Sequence, residues 1–302
     1  VGSVRILTDE RCLNYGQAGH PERPGRISET LAVLKKQPKA FLSWAEPPEM
    51  PMEESISRAH TEFHQARLGE GVDFDPDTPA YPNIEDHAHR SVAAALGGLD
   101  HVLNNNEPAF SLMRPPGHHA TRERAMGFCY LNQAAICALE ARVRGIERVA
   151  VLDFDVHHGN GTEDILKGRE GTWVASIHQH PCYPGTGTES FDNILNYPVL
   201  PLTPRQEHME VIRRGLDAIL RHKPGLLIVS AGFDAYVGDP ISDECLEVED
   251  FHQLGFWVGG CGIPHLHILE GGYSKELPQC IAAYLEGLRC EDRTPGKIGN
   301  HF

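Results

Sequence analysis

No two cysteines in this chain stand two residues apart, although eight of them (Cys12, Cys129, Cys137, Cys182, Cys245, Cys261, Cys280 and Cys290) are spread over 302 positions. That spacing excludes a zinc ribbon and argues against a disulfide framework, so free thiols in a reducing compartment are expected. Long apolar runs are also missing, and none follows Val1-Gly2-Ser3 in the manner of a secretory signal. The expectation is a soluble, cytoplasmic protein that engages no membrane. Basic residues are in deficit: 27 Lys and Arg stand against 42 Asp and Glu, a formal net charge of -15. Generic nucleic-acid binding needs a basic footprint and is therefore not expected. An acidic surface serves solubility first and the steering of a cationic ligand second. Repeats, low-complexity tracts and Pro/Gly/Ser-rich linkers are absent as well. With 40% hydrophobic and 23% charged residues, the chain is expected to form one domain over residues 1–302, frayed from 289 onward.

What is present centres on Val149-Ala-Val-Leu-Asp-Phe-Asp-Val-His-His-Gly-Asn-Gly161. A short valine- and leucine-rich run ending in glycine predicts a fully buried strand of a parallel sheet. Strand side chains alternate, so Asp153, Asp155 and His157 are expected to share a face at the strand's carboxyl end, where open α/β sheets hold ligands. An Asp-rich strand end can also do no more than cap the next helix. Two carboxylates buried together nevertheless demand a compensating charge. A carboxylate and an imidazole make half a zinc site.

Other stretches repeat the arrangement. Residues 3–7 read as a first strand, and His20-Pro-Glu-Arg-Pro-Gly-Arg26 punctuates the entry to a helix, with Arg26 either exposed there or functional. His60 and His64 sit a helical turn apart, but Thr61 stands where a His-Glu-x-x-His metal site needs its glutamate. Residues 69–83 form an acidic, proline-bearing loop long enough to be functional. His87 and His89, near the start of a helix over 84–104, are expected to be solvated. A strand over 109–113 leads into Arg114-Pro-Pro-Gly-His-His-Ala120, helices are expected over 132–144, 206–222 and 278–288, and strands over 173–177, 226–229 and 267–269. Four strands thus end in His118-His119, in Asp153/Asp155/His157, in Asp234 and in Tyr273. Two carboxylates and one imidazole leave a metal position open for water and substrate, paired histidines supply base and acid, and a tyrosine stabilises an oxyanion. Those residue types point to metal-assisted amide hydrolysis.

Arg114-Pro-Pro-Gly-His-His-Ala120, Gly127-Phe-Cys-Tyr-Leu-Asn132, Asp153-Phe-Asp-Val-His-His-Gly-Asn-Gly161, Ala231-Gly-Phe-Asp234 and Glu270-Gly-Gly-Tyr273 together resemble the zinc-dependent histone deacetylase family, class II and bacterial members above all. The motifs run in order from His20 to the last helix. The resemblance implies an α/β, single-domain arginase/deacetylase-like fold, with a central, mainly parallel sheet and helices on both faces. It implies one catalytic zinc held by Asp155, His157 and Asp234. His119 would be general base and acid, His118 with Asp153 an electrostatic partner, and Tyr273 the oxyanion donor. Gly127, Phe128 and Tyr183 match the acyl-lysine tunnel, Asp77 the anchor of the substrate backbone, and Arg26 the inner channel. Asp153, Ser176 and Ile177, with backbone carbonyls of Asp155 and His157, match a structural potassium site. Asn160 stands where class I members carry aspartate. Ile241 lies where acetylpolyamine hydrolases carry a polar gatekeeper, which favours acyl-lysine.

The expected substrate is therefore an acyl-lysine peptide or protein, with an acetylated polyamine as runner-up. A two-manganese ureohydrolase fits less well, because Gly159 and Asn160 offer no further carboxylate. A silent scaffold has no feature in its favour. Acyl length and oligomeric state are not legible in the sequence.

Overall fold

The computed structural model describes residues 3–38 and 40–289. Cys290 and almost all of the tail expected to fray lie outside them. Eight strands pair into one sheet: β1 (Val4–Leu7), β2 (Leu42–Ala45), β3 (Ala109–Ser111), β4 (Val149–Asp153), β5 (Thr172–Gln179), β6 (Ile194–Val199), β7 (Leu226–Ala231) and β8 (His265–Leu269). Their order is β2-β1-β3-β8-β7-β4-β5-β6, and every pairing is parallel. The helices among the described residues are α1 (Gly25–Leu34), α2 (Glu53–Ala59), α3 (Glu62–Leu68), α4 (Ile84–Asn105), α5 (Gln133–Val143), α6 (Asn160–Leu166), α7 (Arg205–Leu220), α8 (Val248–Gly259) and α9 (Leu277–Gly287). None is long and apolar enough to cross a membrane.

Sequence pattern explains the layering. Every residue of β4, β7 and β8 is buried, so both faces of the central sheet must be covered, as parallel strands require. Helices α5 and α7 both pack on β4, and α4 lies along β1, β3 and β8. The result is one α/β domain with a single core.

Two strands escape the sequence reading, and both are edges. In β6, Pro198 interrupts the pattern, which an edge strand tolerates because one side needs no ladder hydrogen bonds. In β2, four residues leave Trp44 37% exposed. Helix α8 is also unmarked in sequence, although Glu247 and Asp250 form a capping box at its start. His87 departs from expectation: it is half-buried against the Tyr15 ring at 4.7 Å, and burial lowers its pKa. His60 and His64 are structural, with His60 Nε2 accepting the Asn132 N–H and His64 Nε2 facing the Tyr130 carbonyl.

The strand order decides where chemistry gathers. Strands β3, β8, β7 and β4 are consecutive neighbours, so the segments leaving their carboxyl ends converge on one rim of the sheet.

Candidate active site

At that rim Asp155, His157 and Asp234 are all buried and bring their donor atoms within 4.8 Å of one another. His157 Nδ1 lies 3.2 Å from Asp155 Oδ1 and 3.1 Å from Asp234 Oδ2. Backbone amides steer the acids: Gly271 N–H donates to Asp155 Oδ2 at 2.7 Å and Val156 N–H to Asp234 Oδ1 at 2.9 Å. A mixed carboxylate–imidazole set of this size suits a divalent cation with an open position.

Asp153 does not join that group. Strand β4 ends at Asp153, so alternation no longer governs Asp155 and His157. Instead Asp155 N–H donates to Asp153 Oδ1 at 3.1 Å, and His157 N–H to Asp155 Oδ1 at 2.9 Å. These side chain–backbone bonds turn the segment. The other oxygen of Asp153 faces His118 Nδ1 at 3.0 Å.

The tandem histidines differ electrostatically although their rings lie 4.0 Å apart. Burial works against charge on His118, but the Asp155 and Asp153 carboxylates outweigh it and push its pKa up to about 10. For His119, burial and then the neighbouring His118 and His157 hold the pKa well below the ordinary imidazole value. Its Nδ1 faces the neutral Asn160 Oδ1 at 2.7 Å. One histidine is thus poised as a cation and the other as a neutral base, a division suited to acid–base chemistry.

Above them a cavity of about 270 Å³ opens to solvent, lined by Pro21, Asp77, His119, Gly127, Phe128, His157, Cys182, Tyr183, Ile241 and Tyr273. Eight of those residues are expected from sequence; Pro21 and Cys182 are not, since neither carries a catalytic signature. The Phe128 ring meets Tyr273 edge-on at 5.7 Å, and Tyr183 meets His119 at 5.0 Å. Gly127 has φ 56°, and a Cβ there would press on His119 and the Tyr183 ring, so a side chain would close the cavity. Asp77 is exposed at the mouth.

Known proteins resemble this chain in both sequence and fold. A histone deacetylase domain is matched over residues 20–288. The chain belongs to the histone deacetylase family. A histone deacetylase-like amidohydrolase of Pseudomonas aeruginosa is 34% identical over 93% of this chain and 80% of its own. The HD domain of HDA15 superposes with a TM-score of 0.86 at 30% identity, covering 95% of this chain and 90% of that one. An acetylpolyamine aminohydrolase of Burkholderia pseudomallei also gives 0.86, at 25% identity, over 95% and 98% of the two chains. This deacetylase is accordingly a hydrolase of amide bonds.

Three further expected site residues of the deacetylase, Arg26, Ser176 and Ile177, belong neither to the cavity lining nor to the cluster of acids and histidines behind it. Arg26 is buried, its Nε donating to Gly272 O at 2.7 Å and Nη2 to Glu270 O, with its guanidinium 4.7 Å from the Tyr273 ring centroid. It braces the loop that carries Tyr273. Ser176 registers opposite Asp153 on β5, with Oγ 2.9 Å from His178 Nδ1. Ile177 buries its side chain beside Gly215 of α7.

Two buried acids, one under the tandem histidines and one between two arginines, were not singled out in sequence. Glu270 accepts the Gly117 and His118 N–H groups at 2.7 and 3.0 Å and the Ser230 hydroxyl at 3.0 Å. Burial pushes its pKa up to about 7, against the charge of His118. Glu22 pairs with Arg114, which has no exposed surface, and with Arg26 at 3.3 Å. Both acids sit inside quoted motifs, but nothing in a one-dimensional pattern says that they are buried.

Proposed function

We propose that this deacetylase removes acetyl or other acyl groups from Nε-acyl-lysine with one zinc ion held by Asp155, His157 and Asp234. The observation that carries the proposal is the convergence of those three donors beside the tandem imidazoles of His118 and His119, held by Asp153 and Asn160. The donor set fits zinc: borderline-soft imidazole with hard carboxylate, and fewer than four protein ligands. When bound, the ion would supply Lewis acidity, polarising the amide carbonyl and activating water for attack.

The chain's own groups do the rest. His119, oriented by Asn160, takes a proton from the attacking water and returns it to the leaving amine. His118, held by Asp153, keeps a positive charge beside the reacting centre. Tyr273 donates its hydroxyl to the acyl oxygen as negative charge develops there. Phe128 and Tyr183 flank the methylene chain, Gly127 leaves room for it, and Asp77 accepts from the substrate backbone at the mouth. Arg26 braces the Tyr273 loop at the inner end. A structural potassium ion, held by Asp153, Ser176 and the backbone of Ile177, Asp155 and His157, suits the all-oxygen donor set.

An acetylated polyamine is the second reading, favoured by the exposed acidic side chain of Asp77 at the mouth and by the likeness to the Burkholderia enzyme. Ile241, an apolar residue lining the cavity, favours lysine. The test is amine release from acyl-lysine peptides of increasing acyl length and from acetylated polyamines, with zinc-loaded and metal-stripped protein. Zinc-dependent turnover with peptides ahead supports the first reading. Polyamines ahead would support the second, and no turnover by zinc-loaded protein would remove both.

A further inference from the structure

One carboxylate outside the catalytic set joins two loops of the cavity wall. Asp239 is 7% exposed. Its Oδ2 accepts the N–H groups of Tyr273 at 2.7 Å and Ser274 at 3.2 Å, and its Oδ1 accepts the Ile241 N–H at 3.1 Å. Among the described residues it has no cationic side chain as salt-bridge partner, and three backbone amides supply the hydrogen bonds to its two oxygens. The segment that carries it is anchored at other points. Asp239 N–H donates to Tyr236 O at 2.9 Å, and Val237 N–H to Leu246 O at 2.8 Å. The Ser242 hydroxyl donates to the Asp234 carbonyl.

The two residues so tied do different work. Tyr273 carries the hydroxyl assigned to the oxyanion, whereas Ile241 contributes only bulk. Both line the catalytic cavity, and both also line an adjoining cavity of about 530 Å³. The spacing between them therefore shapes the stretch of wall that the two cavities share.

We propose that Asp239 is a positioning residue that sets the Tyr273 loop and the Ile241 loop at one fixed spacing, so that a single carboxylate governs both turnover and the width open to the acyl-amine chain. The proposal rests on the role given to Tyr273 above. Its chemistry separates the two effects. In Asp239→Asn the amide oxygen can still accept from Tyr273 and Ser274, while its NH₂ group meets the Ile241 N–H donor to donor. In Asp239→Ala both loops are released.

The experiment measures kcat and KM on acetyl- and longer acyl-lysine peptides for Asp239→Asn, Asp239→Ala, Tyr273→Phe and the double variants, with zinc content and thermal midpoint for each. Asp239→Asn should keep kcat within roughly threefold and change the KM ratio between short and long acyl chains. Asp239→Ala should lower kcat by about 10–100-fold, and that loss should vanish in the Tyr273→Phe background, the mark of two groups acting as one. If the losses multiply, or if the acyl-length profile of both variants matches the wild type, the proposal is overturned. Should Asp239→Ala fail to fold, the Asp239→Asn profile alone decides. A Tyr273→Phe enzyme of wild-type activity would instead remove the oxyanion role, an outcome that does not depend on any Asp239 variant.

Discussion

His119 Nδ1 faces the side-chain oxygen of Asn160 at 2.7 Å, so the imidazole that lines the cavity leans on a neutral acceptor, while its neighbour His118 leans on a carboxylate. Replacing Asn160 by Asp would put a charge behind His119 and stabilise its imidazolium form. A general base works only when neutral, so a raised pKa moves the acidic limb of the pH–rate profile to higher pH. For Asn160→Asp we expect that limb to shift upward by about one unit. A profile superimposable on the wild type would exclude His119 as the base.

His119→Ala should retain stoichiometric zinc and lose turnover by about 10²–10⁴-fold, the usual worth of a positioned acid–base group. Metal analysis beside amine release checks both halves. Tyr273→Phe should cost about 10²–10³-fold in kcat with zinc unchanged.

The proposed zinc site rests on two acids, Asp155 and Asp234, and on a glycine that makes room for them. Asp234→Ala should lose the metal outright, read as stoichiometry by mass spectrometry. Gly271→Ala is the subtler variant, because its new Cβ would fall on the Asp234 and Asp155 carboxylates. Displaced ligands should weaken zinc binding by roughly 10–100-fold, measured by competition with a chromophoric chelator.

Stability carries a separate signature at Glu22. Burial works against its charge, but Arg114 and then Arg26 overcome it and hold the carboxyl below the ordinary value of 4.5. A carboxylate whose folded-state pKa is depressed contributes stability that is present above its unfolded value and lost as pH falls through the folded one. Glu22→Gln leaves Arg114 and Arg26 buried without their anion, which should cost about 3–5 kcal/mol near neutral pH. Below pH 4.5 its stability should fall less steeply than that of the wild type, as urea titrations at both ends of the range would show.

Much of the fold and of the candidate site was legible before any coordinates. The buried apolar runs of β4 and β7, each followed by acids, indicated a parallel sheet with ligands at its carboxyl edge, and the structure has that sheet. That residues 118, 119, 155, 157, 234 and 273 would gather at one rim was readable because their motifs follow strands of one parallel sheet. The paired edges β2 and β6 were not, since an edge strand is short or tolerates proline and so loses the periodic signal. Asp153 shows where periodicity misleads: alternation lasts only as long as the strand, and the strand stops at Asp153 itself.

By itself the sequence determined the class of fold, the acids and imidazoles available for a metal, and the rim of the sheet on which they stand. Only the tertiary structure decided which acid serves which partner: Asp153 with His118, Glu270 under the tandem histidines, Glu22 between two arginines, and Asp239 across two loops. The physical reason is that a carboxylate's role depends on which donors replace its lost water. Those donors come from residues up to 153 positions away in the chain, as between Gly117 and Glu270, so no local pattern records them.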